Sequence, residues 1–500
     1  MNQSPDGGAP VEERALEPQE VRVAPISPER LREVLDPNEW TQFQESVARA
    51  VEVFEGRIIW MVSSTAAGGG VAEMLRSFLA YSRGADVNVR WLVMTGTPDF
   101  FALTKRIHNL LHGSPGDGGD LGKEERRLYE HVTAANAEHV AALVRETDIV
   151  LLHDPQTAGM VPRLKQTGAY VVWRSHIGAE HPNELVHGAW EFLAGYLQQA
   201  DASVFSRHAY VPDWANAIRT EVIQPSIDVF SPKNQDLDGP TTEAILAHVG
   251  LTVDHTDGPP VFRRYDGTPG RVDRFCEVLS TGPPPHVGEP LVVQVSRWDR
   301  LKDHMGVMHG FAEHVAPATD AHLILAGPNV NAVADDPEGA EVLNETEAAW
   351  RELPHARRSR VHLSCLPMAD IEENAAIVNA LQRHATVVVQ KSLQEGFGLT
   401  VAEAMWKSRP VVASAVGGIR DQIEDSVTGM LLDDPTDLDT FGRVVVDLLN
   451  DTERARAIGV RAREHVRRNF LANRHATQYI DLFASIIKAR ESAGEPSAAS

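Results

Sequence analysis

Short apolar runs alternate with longer amphipathic stretches along most of this chain of 500 residues. In its first half the runs are nearly continuous in Val, Ile, Leu and Trp, which is typical of parallel strands buried on both faces. Helical sequence separates them, and a strand followed by a helix, repeated, indicates a doubly wound α/β sheet. The strands predicted here are 57–63, 87–94, 148–153, 170–174 and 202–205.

The same alternation restarts after a segment in which the pattern degrades. Between about residues 233 and 290 the chain carries clusters such as Gly258-Pro-Pro260 and Gly282-Pro-Pro-Pro285, so we place a hinge near its end. The strands predicted beyond it are 290–296, 321–327, 360–364, 385–390, 410–414 and 429–432. Two open α/β domains in tandem are expected to bind ligands in the cleft between them, at the carboxyl ends of both sheets.

These patterns predict two domains and two tails. The first domain is assigned to residues 21–285 and the second to 286–470, and a helical stretch at 471–491 closes the fold. Residues 1–20 and 492–500 are rich in Pro, Gly, Ser and Glu and are predicted to be disordered.

The amino-acid composition makes some classes of function improbable for this chain. The net charge is −23, from 70 acidic and 47 basic residues, which disfavours a nucleic-acid binder and docking on anionic lipid. Only Cys276 and Cys365 are present, so no disulfide framework and no zinc site made of cysteines alone is expected. The absence of an 18-residue apolar run and of a signal peptide predicts a soluble, cytoplasmic protein.

Two cations follow the first predicted strand of the second domain. Arg297 and Lys302 lie just past the carboxyl end of strand 290–296, where ligands bind in such sheets. A guanidinium fork and an ammonium suit the two phosphates of a diphosphate, although such a pair taken alone is weak evidence and is more often part of a solvated loop. Because the chain has no HExxH, no Walker A loop and no complete GxGxxG, we expect protein cations rather than a metal ion to neutralise the ligand.

A glycine-rich turn follows strand 385–390. It reads Glu395-Gly-Phe-Gly-Leu-Thr-Val-Ala-Glu403, and its glycines permit close approach of the backbone to a ligand. A helix is predicted to begin near Leu399, and its first N–H groups would form an anion site. Glu395 could reach sugar hydroxyls, and Glu403 could hold the vicinal diol of a ribose through two hydrogen bonds.

Polar residues also end two strands of the first domain. His153, Asp154 and Gln156 end or follow strand 148–153, and Arg174 and His176 end or follow strand 170–174. A histidine at the carboxyl end of a strand is better placed for a ligand than for a core. For Arg174 and His176, ion pairs with neighbouring loops remain an alternative.

The spacing of Glu395 and Glu403 matches the E-x7-E signature, and the chain resembles the retaining GT-B glycosyltransferases of glycosyltransferase family 4 over about residues 57–485. Arg297 and Lys302 match the diphosphate pair of that family. The resemblance implies two Rossmann-like domains with the nucleotide-sugar donor in the second. It also implies that helix 471–491 packs back on the first domain, and that the loop ending in Gly69 and Gly70 lies beside the donor phosphates.

Four segments narrow the resemblance further. They are His153-Asp-Pro-Gln156, Trp173-Arg-Ser-His176, Ile223-Gln-Pro-Ser-Ile-Asp228 and residues 390–400. Together they are similar to trehalose synthases that use a nucleoside diphosphate glucose and free glucose; the retaining trehalose phosphorylases are similar too. The resemblance implies reversible synthesis of α,α-trehalose from UDP-, ADP- or GDP-glucose by a homodimer. No cofactor would be obligatory, and Mg²⁺ could act only through the nucleotide.

The roles implied are as follows. The catalytic residues are His153, Arg297, Lys302 and Glu395. The donor is bound by Gly69, Gly70, Arg297, Lys302, Glu395, Gly396, Phe397, Gly398, Leu399, Thr400 and Glu403. The acceptor is bound by Asp154, Gln156, Arg174 and His176, and no residue is assigned to a metal ion. Three alternatives stay open: a trehalose phosphorylase, a transferase with a sugar-phosphate or lipid acceptor, and a non-catalytic regulator that binds nucleotide sugars.

Overall fold

The computed structural model describes residues 16–66, 70–254, 258–330 and 338–494. The chain divides into two compact units. The first unit comprises Met1–Gln224 and His475–Ser500, and the second comprises Pro225–Arg474.

The first unit is built on a sheet to which the described residues contribute seven strands, in the order β1-β3-β2-β4-β5-β6-β7. These strands are β1 (Gln19–Val21), β2 (Ile59–Ser63), β3 (Val89–Val93), β4 (Ile149–His153), β5 (Tyr170–Ser175), β6 (Ala202–Phe205) and β7 (Arg219–Val222). The strands from β2 to β7 run parallel, and only β1 pairs antiparallel, at one edge. Every residue of β2, β4, β5 and β6 is buried, as expected for a parallel sheet covered on both faces.

Helices connect these strands, as the pattern predicts. They are α1 (Pro37–Val53), α2 (Gly70–Gly84), α3 (Pro98–Leu111), α4 (Lys123–Leu143), α5 (Asp154–Thr157), α6 (Val161–Lys165) and α7 (Glu184–Leu197). Local sequence fixes where they begin. The Asp36 carboxylate accepts the N–H of Glu39, whose own carboxylate accepts the N–H of Asp36, so a capping box starts α1.

The second unit repeats the architecture. Its described strands are β8 (Val261–Arg263), β9 (Pro269–Arg271), β10 (Glu277–Leu279), β11 (Leu291–Val295), β12 (His322–Pro328), β13 (Val361–Leu366), β14 (Val387–Gln390), β15 (Val411–Ser414) and β16 (Met430–Leu432). All but β8 and β9, which form a hairpin, make one sheet in the order β10-β13-β12-β11-β14-β15-β16. The strands are parallel except for β10, which pairs antiparallel with β13.

Its helices are α8 (Gly239–His248), α9 (His304–Gly310), α10 (Gly339–Glu352), α11 (His355–Arg358), α12 (Ile371–His384), α13 (Leu399–Trp406), α14 (Ile419–Gln422), α15 (Leu438–Asn450) and α16 (Thr452–Asn469). The terminal helix α17 spans Ala472–Gly494, and from His475 onward it belongs to the first unit. Two Rossmann-like units of this kind are the predicted GT-B class.

The boundary between the units differs from the predicted one. Residues 225–285 cluster with the second unit, not with the first. The reason is pairing and packing: Val278 of β10 lies opposite Ser364 of β13, and the Asn379 amide of α12 donates to the Pro232 carbonyl at 3.0 Å. Contacts of this kind are not readable from the Pro- and Gly-rich composition that marked a hinge near residue 285.

Both tails also need correction. Residues 1–15 lie outside the described part, but Gln19 and Glu20 of the predicted 1–20 tail belong to β1, which pairs with β3, and Glu20 accepts from the Arg90 guanidinium at 2.7 Å. At the other end α17 continues to Gly494, beyond the predicted limit of 491, and residues 495–500 lie outside the described part.

Candidate active site

The carboxyl edge of the second sheet carries an ion pair. Lys302 Nζ donates to Glu395 Oε2 at 2.7 Å, and the two side chains are only 16% and 11% exposed. Lys302 follows β11 and Glu395 follows β14, which are parallel neighbours. The carboxyl ends of these strands therefore bring together two residues that are 93 positions apart in the chain.

Hydrogen bonds join the two loops that carry Lys302 and Glu395. The Leu393 N–H donates to the Leu301 carbonyl at 2.8 Å. The Gln294 side-chain amide donates to the Lys302 carbonyl at 3.0 Å, and its oxygen accepts the Lys391 N–H at 3.4 Å. Gln294 is fully buried in β11, so a rigid strand sets the position of Lys302.

A directional chain of hydrogen bonds orients Glu395. The Thr400 hydroxyl donates to Gln390 Oε1 at 3.0 Å, and the Gln390 amide donates to Ser392 Oγ at 2.9 Å. The Ser392 hydroxyl then donates to Glu395 Oε2 at 3.1 Å. Gln390 and Ser392 were not predicted as site residues, and the Thr400 hydroxyl, predicted to bind the donor, is engaged in this chain. Glu395 is thus held by protein donors in one orientation.

The glycine-rich turn has the backbone that the motif predicts. Gly398 has φ of +85°, and a Cβ there would lie 3.1 Å from Glu395 Cγ, so both conformation and space favour glycine. Gly396 accepts the N–H of Gly418 at 3.2 Å, and Phe397 is 6% exposed. Helix α13 begins at Leu399, as predicted, which places its first N–H groups at this turn.

Arg297 lies in the loop after β11 with its guanidinium 36% exposed, 3.4 Å from the Asp299 carboxylate. Asp299 is buried and also accepts the Leu301 N–H at 2.8 Å. Arg300 of the same loop is 48% exposed and pairs with acidic residues of α10, so the loop presents Arg297 and Arg300 as partly exposed cations and Lys302 as a largely enclosed one.

Glu403 is buried in α13, with 1% of its surface exposed. Its Oε1 lies 3.4 Å from Lys233 Nζ. The adjoining residue Asn234 accepts from the Trp406 indole through its carbonyl at 3.2 Å and from Lys407 Nζ through its side chain at 2.9 Å. Lys233 had no sequence signal, because its segment lacks periodicity and the predicted boundary assigned it to the other domain.

The carboxyl edge of the first sheet carries a row of three side chains. His153 ends β4, and its Nδ1 lies 3.0 Å from Nε2 of His176. His176 follows β5, and its Nδ1 accepts from Arg174 Nε at 3.3 Å. Each of the three is at most 8% exposed. The sheet therefore brings together His153, Arg174 and His176, three of the predicted site residues.

Arg174 is fully buried, and protein groups surround its guanidinium. Nη2 donates to the Ile223 carbonyl at 3.0 Å, while Nη1 contacts the Tyr479 hydroxyl and lies 3.3 Å from His475 Nε2. The structure thus places Arg174 behind His176 and not on an open surface, which differs from the predicted contact with an acceptor.

Burial sets the protonation states at this edge. Burial, and to a lesser degree the nearby Arg174 charge, lowers the pKa of His153 to about 3 and places that of His176 well below its ordinary value. Both imidazoles are therefore neutral near pH 7. Burial raises the pKa of Asp154 to about 7, although its carboxylate accepts a hydrogen bond from the backbone N–H of His176 at 2.8 Å, which lowers the pKa.

The other predicted residues of the first unit are placed as follows. Gln156 lies in α5, and its Oε1 is buried without a hydrogen-bond partner among the described residues. Gly70 begins α2, whereas Gly69 lies outside the described residues. Within the part that the structure describes, no group of three or more His, Cys, Asp or Glu is arranged to hold a metal ion. Nor do the described helices include one long and apolar enough to cross a membrane.

The two edges thus have distinct chemistry. The second carries cations, carboxylates and a helix N-terminus, which suit a phosphorylated ligand. The first carries neutral imidazoles and other polar groups, which suit uncharged hydroxyls.

Two family models match separate parts of the chain. Residues 61–212 match the family described as trehalose synthase, N-terminal domain, and residues 283–465 match glycosyl transferases group 1. The chain is 31% identical to a trehalose synthase of Pyrococcus horikoshii over 458 residues, covering 92% of this chain and 96% of that protein. It is 26% identical to a trehalose phosphorylase of Pleurotus pulmonarius, covering 88% of this chain and 58% of that protein.

Solved structures support the fold. A UDP-forming α,α-trehalose-phosphate synthase from Burkholderia xenovorans, in complex with glucose-6-phosphate, superposes with a TM-score of 0.64 at 13% identity, covering 87% of this chain and all of that one. At that identity the likeness concerns the GT-B fold alone. The near full-length similarity to the Pyrococcus protein decides the family: the chain is a hexosyltransferase that belongs to the trehalose synthase family.

Proposed function

We propose that the protein transfers glucose from a nucleoside diphosphate glucose to free glucose, giving α,α-trehalose and the nucleoside diphosphate, with retention at the donor carbon. The observation that carries the proposal is the Lys302–Glu395 pair, held at 2.7 Å at the carboxyl edge of the second sheet. It supplies a cation for a phosphate and a carboxylate for sugar hydroxyls on adjacent loops.

Lys302 is suited to the leaving phosphate. An ammonium has three donors, of which Glu395 takes one, so two remain to stabilise charge on the diphosphate as the anomeric bond breaks. Arg297 would add a guanidinium, and the first N–H groups of α13 would add backbone donors. Gly396, Phe397 and Gly398 form the turn that would let the diphosphate approach that helix.

Glu395 and Glu403 would hold the two ends of the donor. Glu395 would accept from glucose hydroxyls in the orientation that Ser392 fixes. Glu403 would accept from the two hydroxyls of the ribose. Its neighbour Lys233 lies 3.4 Å from Oε1 of that carboxylate.

The first unit would hold uncharged parts of the substrates. Neutral His153 would donate a hydrogen bond to the donor sugar, while Asp154 and Gln156 would lie on the side of the acceptor glucose, with Gly70 beside the phosphates. Neutral imidazoles suit this task, since sugar hydroxyls carry no charge, and the buried Arg174 guanidinium behind them is held by protein groups.

Retention would proceed on one face of the sugar. The bond from the anomeric carbon to the phosphate oxygen breaks, the acceptor hydroxyl oxygen bonds to the same face, and its proton passes to the leaving phosphate. This route differs from that of retaining hydrolases, in which a second carboxylate attacks the opposite face. None of the carboxylates assigned here is given that role.

The test is the identity of the product. The protein is incubated with glucose and, separately, UDP-, ADP- and GDP-glucose, and the products are analysed by NMR. A non-reducing disaccharide whose two anomeric protons are both α supports the proposal. A reducing disaccharide, or hydrolysis of the donor alone, would refute it.

A phosphorylase is the second candidate, because a trehalose phosphorylase is among the relatives. It would use inorganic phosphate and trehalose and would need no contact between Glu403 and a ribose. Formation of glucose 1-phosphate from trehalose and phosphate would favour it.

A further inference from the structure

The row Arg174, His176, His153 has a fixed hydrogen-bond direction. A guanidinium is always protonated and can only donate, so His176 Nδ1, 3.3 Å from Arg174 Nε, must accept. A neutral imidazole that accepts at Nδ1 carries its proton on Nε2. His176 Nε2 therefore donates to His153 Nδ1, 3.0 Å away.

This direction determines which ring nitrogen of His153 carries the proton. Because its Nδ1 accepts, its proton resides on Nε2. That nitrogen is buried and has no hydrogen-bond partner among the described residues. An unpartnered buried N–H is costly, and a ligand oxygen would satisfy it.

We propose that Arg174 and His176 are positioning residues that lock His153 in the Nε2–H tautomer, so that it donates a hydrogen bond to an oxygen of the bound sugar. The inference rests on the proposed function for the identity of the ligand, but not for the tautomer. The opposite tautomer would direct a lone pair at the same oxygen, so His153 could only accept from a hydroxyl there and could no longer donate to it.

The terminal helix anchors the start of the row. Tyr479 and His475 of α17 both contact Arg174 Nη1, and the Arg174 guanidinium carbon lies 5.6 Å from the centre of the Tyr479 ring. The Ile223 carbonyl fixes Nη2 at 3.0 Å. Arg174 therefore cannot turn its Nε away from His176 without breaking several contacts, and α17 becomes part of the machinery that sets the tautomer.

A second histidine pair serves as an internal comparison. In the second unit His322 Nδ1 lies 2.9 Å from His362 Nε2, with ring centres 5.2 Å apart, against 5.3 Å for His153 and His176. We call it the closed pair, because each outer nitrogen faces a protein group: His362 Nδ1 meets the Ser280 hydroxyl at 2.9 Å, and His322 Nε2 lies 3.8 Å from the Glu289 carboxylate, beyond hydrogen-bond distance. It lies near the amino ends of its strands and leaves no donor open.

The test compares two replacements of His176. His176→Gln keeps an amide N–H that can donate to His153 Nδ1, whereas His176→Leu keeps none. We expect His176→Leu to lower kcat/KM by about 5- to 100-fold, the range for losing one oriented hydrogen bond, and His176→Gln to recover most of that loss. Equal activity of the two variants would overturn the proposal.

Nitrogen-15 NMR of histidine-labelled, unliganded wild-type protein reads the tautomer directly. The His153 signals are assigned by their loss in His153→Gln. Protonated Nε2 in the wild type and mixed tautomers in His176→Leu are expected; protonated Nδ1 in the wild type would overturn the inference even if the protein makes trehalose. Because this measurement needs no substrate, it separates failure of the tautomer lock from failure of the proposed function.

The matched control is the closed pair. His362→Leu and His362→Gln should lower Tm to different extents but leave kcat/KM unchanged, because that pair presents no donor to a ligand. His362→Leu could instead lower kcat/KM as much as His176→Leu does. That result would mean that breaking either histidine pair lowers activity by destabilising the fold, and it would contradict the proposal.

Discussion

The carboxyl edges of the two sheets occupy the same place in the same kind of unit and yet differ in charge. In the second unit the edge carries the ion-paired side chains of Lys302, Arg297 and Glu395, in loops that backbone hydrogen bonds hold together. In the first unit the edge ends in His153 and His176, which burial keeps neutral. The comparison teaches that the fold supplies the location, while the chemistry at each edge follows from the loop residues.

The proposed function gives the two edges different tasks. A diphosphate needs cations, and in a chain of net charge −23 they must be concentrated locally to hold an anion. A sugar is uncharged, so it needs donors and acceptors of fixed direction. The predictions below test each half of that comparison.

The largest effect is expected from Lys302→Ala. Removing one preorganised cation at the leaving phosphate should lower kcat by about 10²–10³-fold, with the fold intact by circular dichroism. Lys165→Ala is the matched control, since Lys165 pairs with Asp201 at the same 2.7 Å but near the amino ends of the first sheet. Comparable losses in steady-state kinetics for the two variants would break the assignment of charge to the second edge.

A smaller effect is expected from Glu403→Ala, which removes the proposed ribose acceptor. Hydrogen bonds that involve a charged group predict an increase in KM for the nucleotide sugar of about 10- to 100-fold. Glu373→Gln is the control. Glu373 lies in helix α12 and is another buried carboxylate, and it pairs with Arg274. Steady-state kinetics with Glu403→Ala near the wild-type KM would favour the phosphorylase.

The smallest expected effect is on how the free energy of unfolding depends on pH. It is tested at the two ends of β4, at Asp154 and Asp148. The pKa of Asp154 is raised from 3.8 to about 7, so the folded protein retains a proton that the unfolded chain releases. The free energy of unfolding should therefore fall as pH rises from about 4 to about 7, and Asp154→Asn should reduce that fall. Urea titrations at about pH 5 and about pH 8 measure the difference.

Asp148, at the other end of β4, has the opposite sign. Burial raises its pKa, but hydrogen bonds from Arg145, Ile58 and Trp60 outweigh it, so the net pKa is lowered. Its contribution to stability is present above its unfolded pKa and lost as pH falls through the folded one. Asp148→Asn should thus alter the acid limb and leave the change between about pH 5 and about pH 8 intact; identical profiles for the two variants would contradict this account.

The sequence predicted the elements whose pattern is local. Continuous apolar runs predicted β2 to β6 and β11 to β16, because strands buried on both faces need no polar alternation. It missed β7 (Arg219–Val222) and β10 (Glu277–Leu279), which are short, partly exposed edge strands that depend on a neighbour for pairing. The boundary near residue 285 failed for the same reason.

The candidate site also divides into residues with a local sequence pattern, which could be predicted, and residues placed by tertiary packing, which could not. The motif around Glu395 could be found because its glycines and helix start are consecutive in sequence. Lys233 could not, since it approaches Glu403 only through tertiary packing, 170 positions along the chain from its partner. The position of Arg174 behind His176 depends on Tyr479 and His475, near the end of the chain, which no local pattern connects to β5.

The central claim is that the second edge holds a nucleoside diphosphate and not inorganic phosphate. The most direct test runs the reaction backward: trehalose is mixed with the protein and either UDP, ADP, GDP or phosphate, and the glucosylated product is identified by mass spectrometry. The account predicts a nucleoside diphosphate glucose, formed only with a nucleotide. Glucose 1-phosphate formed with phosphate, and no product with any nucleotide, would contradict it.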